Sequence, residues 1–245
     1  MKVIYSTRHG CGKAESEDAI LINDNVFYDE IGNMELNEFS KIAIVDGVGG
    51  NKGGKDAALF ILRKAAELHV DTEVELRKKL IKINQQLIDY ANDMGDKNKM
   101  ATTFTALFNC NNYKYLIHIG NTRLYIKQGS YLRQVTHDHT TYQFMIDRGM
   151  EETADACNKN EIQACFGGGM ESYLKWLTVE SVFLERIPKR IIFTSDGIHE
   201  YVSVESIEKY LIRTSDIEEG IKQLNIQAID NGSKDDRTVL VIDFN

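Results

Sequence analysis

Two stretches decide the fold: IIFTSDG at residues 191–197 and IAIVDG at residues 42–47. Each is a run of apolar β-formers that ends in Asp-Gly. A buried strand gains nothing from a carboxylate at its tip. A single Asp-Gly tip is ordinary turn chemistry. Two of them, about 150 residues apart in the chain, are candidates for two halves of one site.

The segments around these strands give the fold class. Residues 2–7 and 19–27 are extended in pattern, and KIAIV at 41–45 is a short apolar strand. The glycine-rich GVGGNKGG leads into a helix over about 55–69. A second helix is predicted over 73–94, with Leu76, Leu80, Ile83, Leu87, Tyr90 and Met94 stepping by three and four. Thr72 with Glu75 forms a capping box at its start. The period then switches: ATTFTALFN, YKYLIHIGN and RLYIKQG suggest an antiparallel meander. Residues 140–149 are expected to be helical and 150–172 irregular. KRIIFTSDG is a strand, 203–213 and 215–230 are helices (the second with a Ser215…Glu218 box), and TVLVIDF is a strand. Strands and helices come in blocks without regular βαβ alternation, which favours an α+β fold with antiparallel sheets.

The 245 residues, with one proline and no low-complexity linker, are expected to form a single domain over 1–245 with a flap-like excursion at about 140–172. Apolar residues make up 42% and charged residues 27%, ordinary values for a soluble domain. The net charge of −8 argues against nonspecific nucleic-acid or anionic-membrane binding. No signal-peptide pattern and no membrane-span window occur, and the four cysteines include no CxxC. A cytoplasmic protein with free thiols and no zinc site is expected.

Acidic residues stand at element ends in four places: Glu17-Asp18, Asp46, Asp196 and Asp235-Asp236. Brought together, they would repel one another unless a cation lay between them. An all-oxygen set suits Mg²⁺ or Mn²⁺. Two such ions can activate a water for in-line attack on phosphorus.

Other signals are weaker. GGNKGGKD at 49–56 approaches a P-loop, but Asp56 replaces the hydroxyl residue that would hold Mg²⁺. His137-Asp138-His139 is read as a structural turn, because ligands so close in sequence rarely complete a tetrahedral site. His118, Cys11 and Trp176 are expected to have packing or surface roles.

In chain order, GKAESEDA, IAIVDGVGGNKGGKDAA, ATTFTALF, HIGNTRLYIKQG, QVTHDHT, NEIQACFGGG, IIFTSDGIHEYVS and GSKDDRTVLVI resemble the sequence blocks of one family. That family is the metal-dependent Ser/Thr protein phosphatases of type 2C (PPM), in their compact bacterial form. The resemblance implies a four-layer αββα sandwich of two antiparallel sheets flanked by helix pairs. It implies hydrolysis of phosphoserine and phosphothreonine in proteins by a metal-bridging hydroxide. Asp46 would bridge two Mn²⁺ or Mg²⁺ ions, with the Gly47 carbonyl and Glu17 on one, and Asp196 and Asp235 on the other. Asp18 would act behind the ligands or through water. Partners would be a phosphorylated protein, a Ser/Thr kinase or its targets, and the chain a monomer.

The chain departs from the family pattern at four points. Lys13 stands where the family has a phosphate-clamping arginine, keeping the charge and losing the bidentate fork. Asn121 replaces an aspartate that helps hold a third metal, so that third site is expected to be weak or absent. Arg123 is expected to pair with a local acid. Val48 follows Asp46-Gly47, where some members have histidine, and Asp236 stands where an asparagine is frequent. Lys13 and Asn121 also motivate an alternative: a weak or inactive pseudophosphatase that binds phosphoproteins.

Overall fold

The computed structural model describes residues 1–48, 52–95, 100–110, 113–182 and 189–244, apart from the side chains of residues 52, 171 and 172. In chain order the strands are β1 (Lys2–Arg8), β2 (Ala19–Ile22), β3 (Asn25–Phe27), β4 (Ile31–Glu35), β5 (Lys41–Val45) and β6 (Gly47–Val48). Two helices follow, α1 (Lys52–Ala66) and α2 (Glu73–Asp93). Next come β7 (Ala101–Thr102), β8 (Phe104–Cys110), β9 (Tyr113–Ile119), β10 (Arg123–Gln128) and β11 (Tyr131–Gln134). Then α3 (Thr141–Ile146), α4 (Glu151–Asp155), β12 (Phe166–Gly167), a 3-10 turn (Glu171–Trp176) and β13 (Thr178–Val182). The last elements are β14 (Arg190–Thr194), α5 (Asp196–His199), α6 (Val204–Leu211), α7 (Ile217–Asp230) and β15 (Arg237–Asp243).

Two six-stranded sheets form, ordered β11-β10-β14-β15-β1-β4 and β13-β9-β8-β5-β2-β3. All their pairings are antiparallel. The central strands are apolar without alternation because both of their faces are covered. On β5, Ile42 and Ile44 point between the sheets, while Ala43 and Val45 face α1 and α2. On β15, Leu240 and Ile242 point inward, while Val239 and Val241 meet α6 and α7. The period of two thus sends one set of side chains to the sheet–sheet core and the other to a helix layer. Three apolar layers separate four layers of structure, and the expected αββα sandwich is what the chain adopts.

Several local expectations need correction. YKYLIHI and RLYIKQ do not pair in a meander. β9 belongs to one sheet and β10 to the other, and the chain crosses between them at Gly120-Asn121-Thr122. Gly120 takes φ +102 there, where a Cβ would also strike Thr103. In α2 the stripe stays buried through Leu87 and then drifts, so that Tyr90 and Met94 are exposed while Ile88 and Ala91 turn inward. Tyr90 stacks on Phe60 instead. α1 begins at Lys52, ahead of the expected 55. α7 is capped one residue later than expected: Asp216, not Ser215, accepts from Glu219 N at 3.0 Å. β4 was not anticipated, and the supposedly irregular 150–172 contains α4, β12 and the 3-10 turn. The Thr72 cap stands, accepting from Glu75 N at 3.2 Å, while Glu75 reaches back to Asp71 N rather than to Thr72 N.

Candidate functional site

Asp46 leaves the C-terminal end of β5, and Asp18 enters β2 directly beside it, because Ala19 pairs with Val45. In the other sheet Asp196 follows β14 and Asp235-Asp236 precede β15, where Thr194 pairs with Val239. The central strands of both sheets therefore open at the same end, and their acidic tips meet. The Asp46 and Asp196 carboxylates lie near enough for each to act on the other's charge. This contact joins the two Asp-Gly stretches.

The glycines follow from crowding. A Cβ on Gly47 would lie 2.4 Å from the Gly54 backbone. A Cβ on Gly54 would lie 2.7 Å from Glu17 Oε1. A Cβ on Gly197 would overlap the Asp236 carbonyl at 1.9 Å. Each Asp-Gly tip thus needs its glycine for close backbone approach.

Hydrogen bonds fix the frame. Thr103 N donates to the Asp46 carbonyl at 2.9 Å, and Thr103 Oγ1 accepts from Asp46 N at 2.9 Å. Thr102 Oγ1 donates to the same carbonyl at 3.0 Å. Ser195 Oγ donates to Asp18 Oδ2 at 2.7 Å and accepts from Thr238 N at 2.9 Å. Asp236, 2% exposed, accepts from Gly10 N at 2.6 Å and from Glu17 N at 2.8 Å, tying the Glu17 loop to β15. Asn121 Nδ2 donates to Asp196 Oδ2 at 3.0 Å. The residue pattern assigns no part to Ser195, and it marks Gly54 only as one glycine of a permissive turn beside Asp46. The Thr102-Thr103 pair was visible as a block but carried no assigned role.

Lys13 sits in the middle of the acids. Its Nζ lies 2.8 Å from Asp235 Oδ1, 3.0 Å from Asp236 Oδ2 and 3.5 Å from Glu17 Oε2. Burial would lower its pKa, but the hydrogen bonds and charges of Asp235 and Asp236 prevail and raise it, so it is an ammonium. Arg8 does not join it and lines a separate cavity.

The carboxylates carry the opposite strain. Withdrawal from bulk water raises Asp46 well above the usual carboxylate range, with Asp196, Asp18 and Asp235 adding repulsion. Asp18 is raised by burial and then by Asp236, against the hydrogen bond from Ser195. Asp196 is pushed up to about 6 by burial and Asp235, although Asn121 works against this. Glu17 is raised by burial, and Lys13 opposes the shift.

The donors suit a hard divalent cation. They are all oxygens, they repel one another, and Asp18 Oδ1, Asp196 Oδ1 and Asn121 Oδ1 are buried without a hydrogen-bond partner. Among the described residues, no three His, Cys, Asp or Glu side chains already close on one point as a finished cage. Lys13 holds the carboxylate of Asp235. Asp235 is 44% exposed on its side chain, and its Oδ1 also accepts from Asp236 N at 2.8 Å.

The other motifs resolve as structure. Arg123 grips Asp138 through Nε (2.9 Å to Oδ2) and a second nitrogen (2.6 Å). His137 Nε2 meets Asp147 at 2.7 Å, and His139 Nδ1 accepts from Gly120 N at 3.2 Å. His118 is buried, and Trp176 packs against His139 and Phe144. Lys55 is taken by Glu15 and lies over the Tyr28 ring, which leaves the P-loop reading without its lysine. Residues 49–51 of that stretch lie outside the described residues. The described cysteines are all free, with Cys11 exposed.

No family model matches the chain. The Ser/Thr phosphatase stp of Listeria welshimeri is 27% identical over 216 residues, covering 83% of this chain and 84% of that protein. The crystal structure of the Mycobacterium tuberculosis phosphatase PstP/Ppp superposes with a TM-score of 0.76 at 24% identity, covering 99% of each chain. A structure of the PstP catalytic domain in complex with two manganese ions superposes with a TM-score of 0.72 at 23% identity, covering 99% of each chain. A two-sheet αββα sandwich with acidic strand tips gathered at one end defines the class. The relatives that this chain resembles are bacterial Ser/Thr phosphatases, and solved PPM phosphatase structures share its fold.

Proposed function

We propose that this protein is a Mn²⁺- or Mg²⁺-dependent phosphatase that hydrolyses phosphoserine and phosphothreonine in proteins. One observation carries the reading: four acidic segments, remote in sequence, meet at one end of the sandwich, with Asp46 against Asp196. Glu17, Asp46 and the Gly47 carbonyl would hold one ion, and Asp46, Asp196 and Asp235 the other. Bound there, two divalent ions would lower the pKa of a water and neutralise phosphoryl oxygens.

The chain's own groups do the positioning. Lys13 presents an ammonium at the mouth of the acidic cleft, where it can donate to phosphoryl oxygens. Asp236 holds the Glu17 loop through two backbone N–H groups. Ser195 and Asn121 keep Asp18 and Asp196 in place. Among the described residues no histidine side chain bonds to this cluster. His199 is buried, with its Nδ1 2.8 Å from Thr194 Oγ1.

The substrate is a phosphorylated protein, a Ser/Thr kinase or its targets, met by a monomer in the cytoplasm. None of the described helices is long and apolar enough to cross a membrane. The test is hydrolysis of p-nitrophenyl phosphate and a phosphothreonine peptide with Mn²⁺, with EDTA, and after Asp46→Ala. Turnover should need Mn²⁺ and vanish with EDTA and in the variant. Turnover that survives chelation would overturn the reading. Peptide binding without turnover would replace it with the pseudophosphatase.

A further inference from the structure

A cavity of about 680 Å³ lies on the other side of β15 and β1, between the helix α7 and the β4 edge. It takes no part in the acidic cluster. The register explains its lining. Arg8 pairs with Arg237 and Ser6 with Val239, so Ser6, Arg8 and Arg237 share the face that α7 packs against. α7 covers Ile4, Val239 and Val241 but leaves the strip toward β4 open.

The cavity has two chemically distinct ends. At the inner end three polar atoms are buried without a partner: Ser6 Oγ, Arg237 Nε and Asn225 Oδ1. Ser6 is 0% and Arg237 7% exposed, so these groups lie beyond bulk water. Arg8, which also lines the cavity, adds a positive charge. At the mouth, Ile31, Ile226 and Ile229 are each about half exposed. Water could satisfy the inner atoms but would leave the three isoleucines wet. A ligand with a polar head and an apolar body satisfies both.

Charge selects the head. Arg237 Nε donates, and Ser6 can donate or accept, which calls for an acceptor on the ligand. Asn225 Oδ1 and the Glu218 carboxylate, which also line the cavity, disfavour a dianion. Arg237 also reaches the candidate active site. Its two terminal nitrogens donate to the carbonyls of Asp235 at 2.9 Å and His9 at 3.1 Å. Those residues adjoin Asp236 and Gly10, which are bonded to each other.

We propose that this cavity is an effector site for a small amphipathic monocarboxylate, whose head accepts from Arg237 and Ser6. Occupancy fixes the guanidinium plane and thereby the 235–236 loop. Binding needs no metal, so it is tested apart from the phosphatase reading.

The probe is octanoate, titrated calorimetrically into metal-free protein, with octan-1-ol as the neutral control. One octanoate per chain should bind. Ile226→Trp fills the mouth from a half-exposed position and should abolish binding while leaving basal hydrolysis of p-nitrophenyl phosphate unchanged. Ser6→Ala, a milder change, should weaken binding about fivefold. Octan-1-ol should bind at least about tenfold more weakly than octanoate, as fits a charge-assisted contact. In the Mn²⁺-loaded enzyme, octanoate should change p-nitrophenyl phosphate turnover about twofold or more, with no change in Ile226→Trp. Absent binding, binding indifferent to both variants, or equal affinity for octan-1-ol would overturn the site. Binding with unchanged turnover would overturn the coupling through Arg237.

Discussion

Replacing Lys13 with methionine should move metal binding and catalysis in opposite directions. Lys13 Nζ holds Asp235 Oδ1 at 2.8 Å and Asp236 Oδ2 at 3.0 Å. Asp236 has other donors in Gly10 and Glu17, and Asp235 Oδ1 has one more in Asp236 N at 2.8 Å. Before Asp235 can serve an ion it must leave the ammonium. Lys13 is 32% exposed, so solvent screens the pair and its release costs about 1 kcal/mol, not the larger value of a buried pair. Methionine removes that cost and also removes a positive charge beside the incoming cation. Mn²⁺ should therefore bind about fivefold more tightly, since 1.4 kcal/mol is about tenfold. The same change takes a charged donor from the phosphoryl oxygens. A charged hydrogen bond contributes about 1.5–3 kcal/mol, so kcat/KM at saturating Mn²⁺ should fall roughly 10- to 100-fold. Calorimetric titration of the metal-free protein gives the first quantity, and steady-state hydrolysis of p-nitrophenyl phosphate the second. Lys13→Arg should raise kcat/KM by supplying a fork that lysine lacks. Unchanged or weaker Mn²⁺ binding in Lys13→Met would refute the idea that lysine and metal compete for Asp235.

Asn121→Asp replaces a donor to Asp196 with a second carboxylate, so the metal-free protein should lose about 1–3 kcal/mol in urea unfolding with EDTA, and Mn²⁺ should restore the loss. His118 is held neutral, Nδ1 accepting from Thr105 Oγ1 at 2.8 Å and Nε2 donating to the His137 carbonyl at 2.9 Å, and burial lowers its pKa to about 4. Its folded-state pKa lies below the unfolded value of about 6.5, so its stability contribution is present above that pH and is lost as pH falls toward 4. His118→Asn should flatten the decline in stability between pH 7 and 5, measured by urea unfolding at each pH. Arg123→Met strands the buried Asp138 carboxylate and should cost about 3–5 kcal/mol, while activity per folded molecule with Mn²⁺ stays near normal. A specific loss of turnover without unfolding would instead place Arg123 at the substrate.

The core strands were legible because burial on both faces leaves a plain mark: continuous apolar runs such as KIAIV and RIIFT. The helices were legible by their period, until α2 passed the edge of the sheet at Ile88 and the inward face drifted away from Tyr90 and Met94. Sheet membership was not legible. YKYLIHI and RLYIKQ look like consecutive hairpin strands, yet the second enters the other sheet after Gly120, which takes a positive φ. The four acidic tips could be read as turns or as ligands. Their convergence depends on β5–β2 and β14–β15 being central pairs that open at the same end, a long-range property that no local pattern encodes.

The crossover at Gly120 also bears on the site. Because the chain changes sheets between β9 and β10, Asn121 is carried to Asp196 at the tip of β14, and Thr122 is placed against Thr105 of β8. His118 and His139, whose ring centroids lie 4.8 Å apart, brace this crossing, His118 through Thr105 and His139 through the Gly120 backbone. One short segment thus ties the β5 half of the acidic cluster to the β14 half. This crossing is one of the places where the two sheets are tied together near Asp46 and Asp196. Substitutions that loosen the His118–Thr105–Thr122 contacts should therefore reach the site through the spacing of the two sheets, even though none of those three side chains touches Asp46 or Asp196.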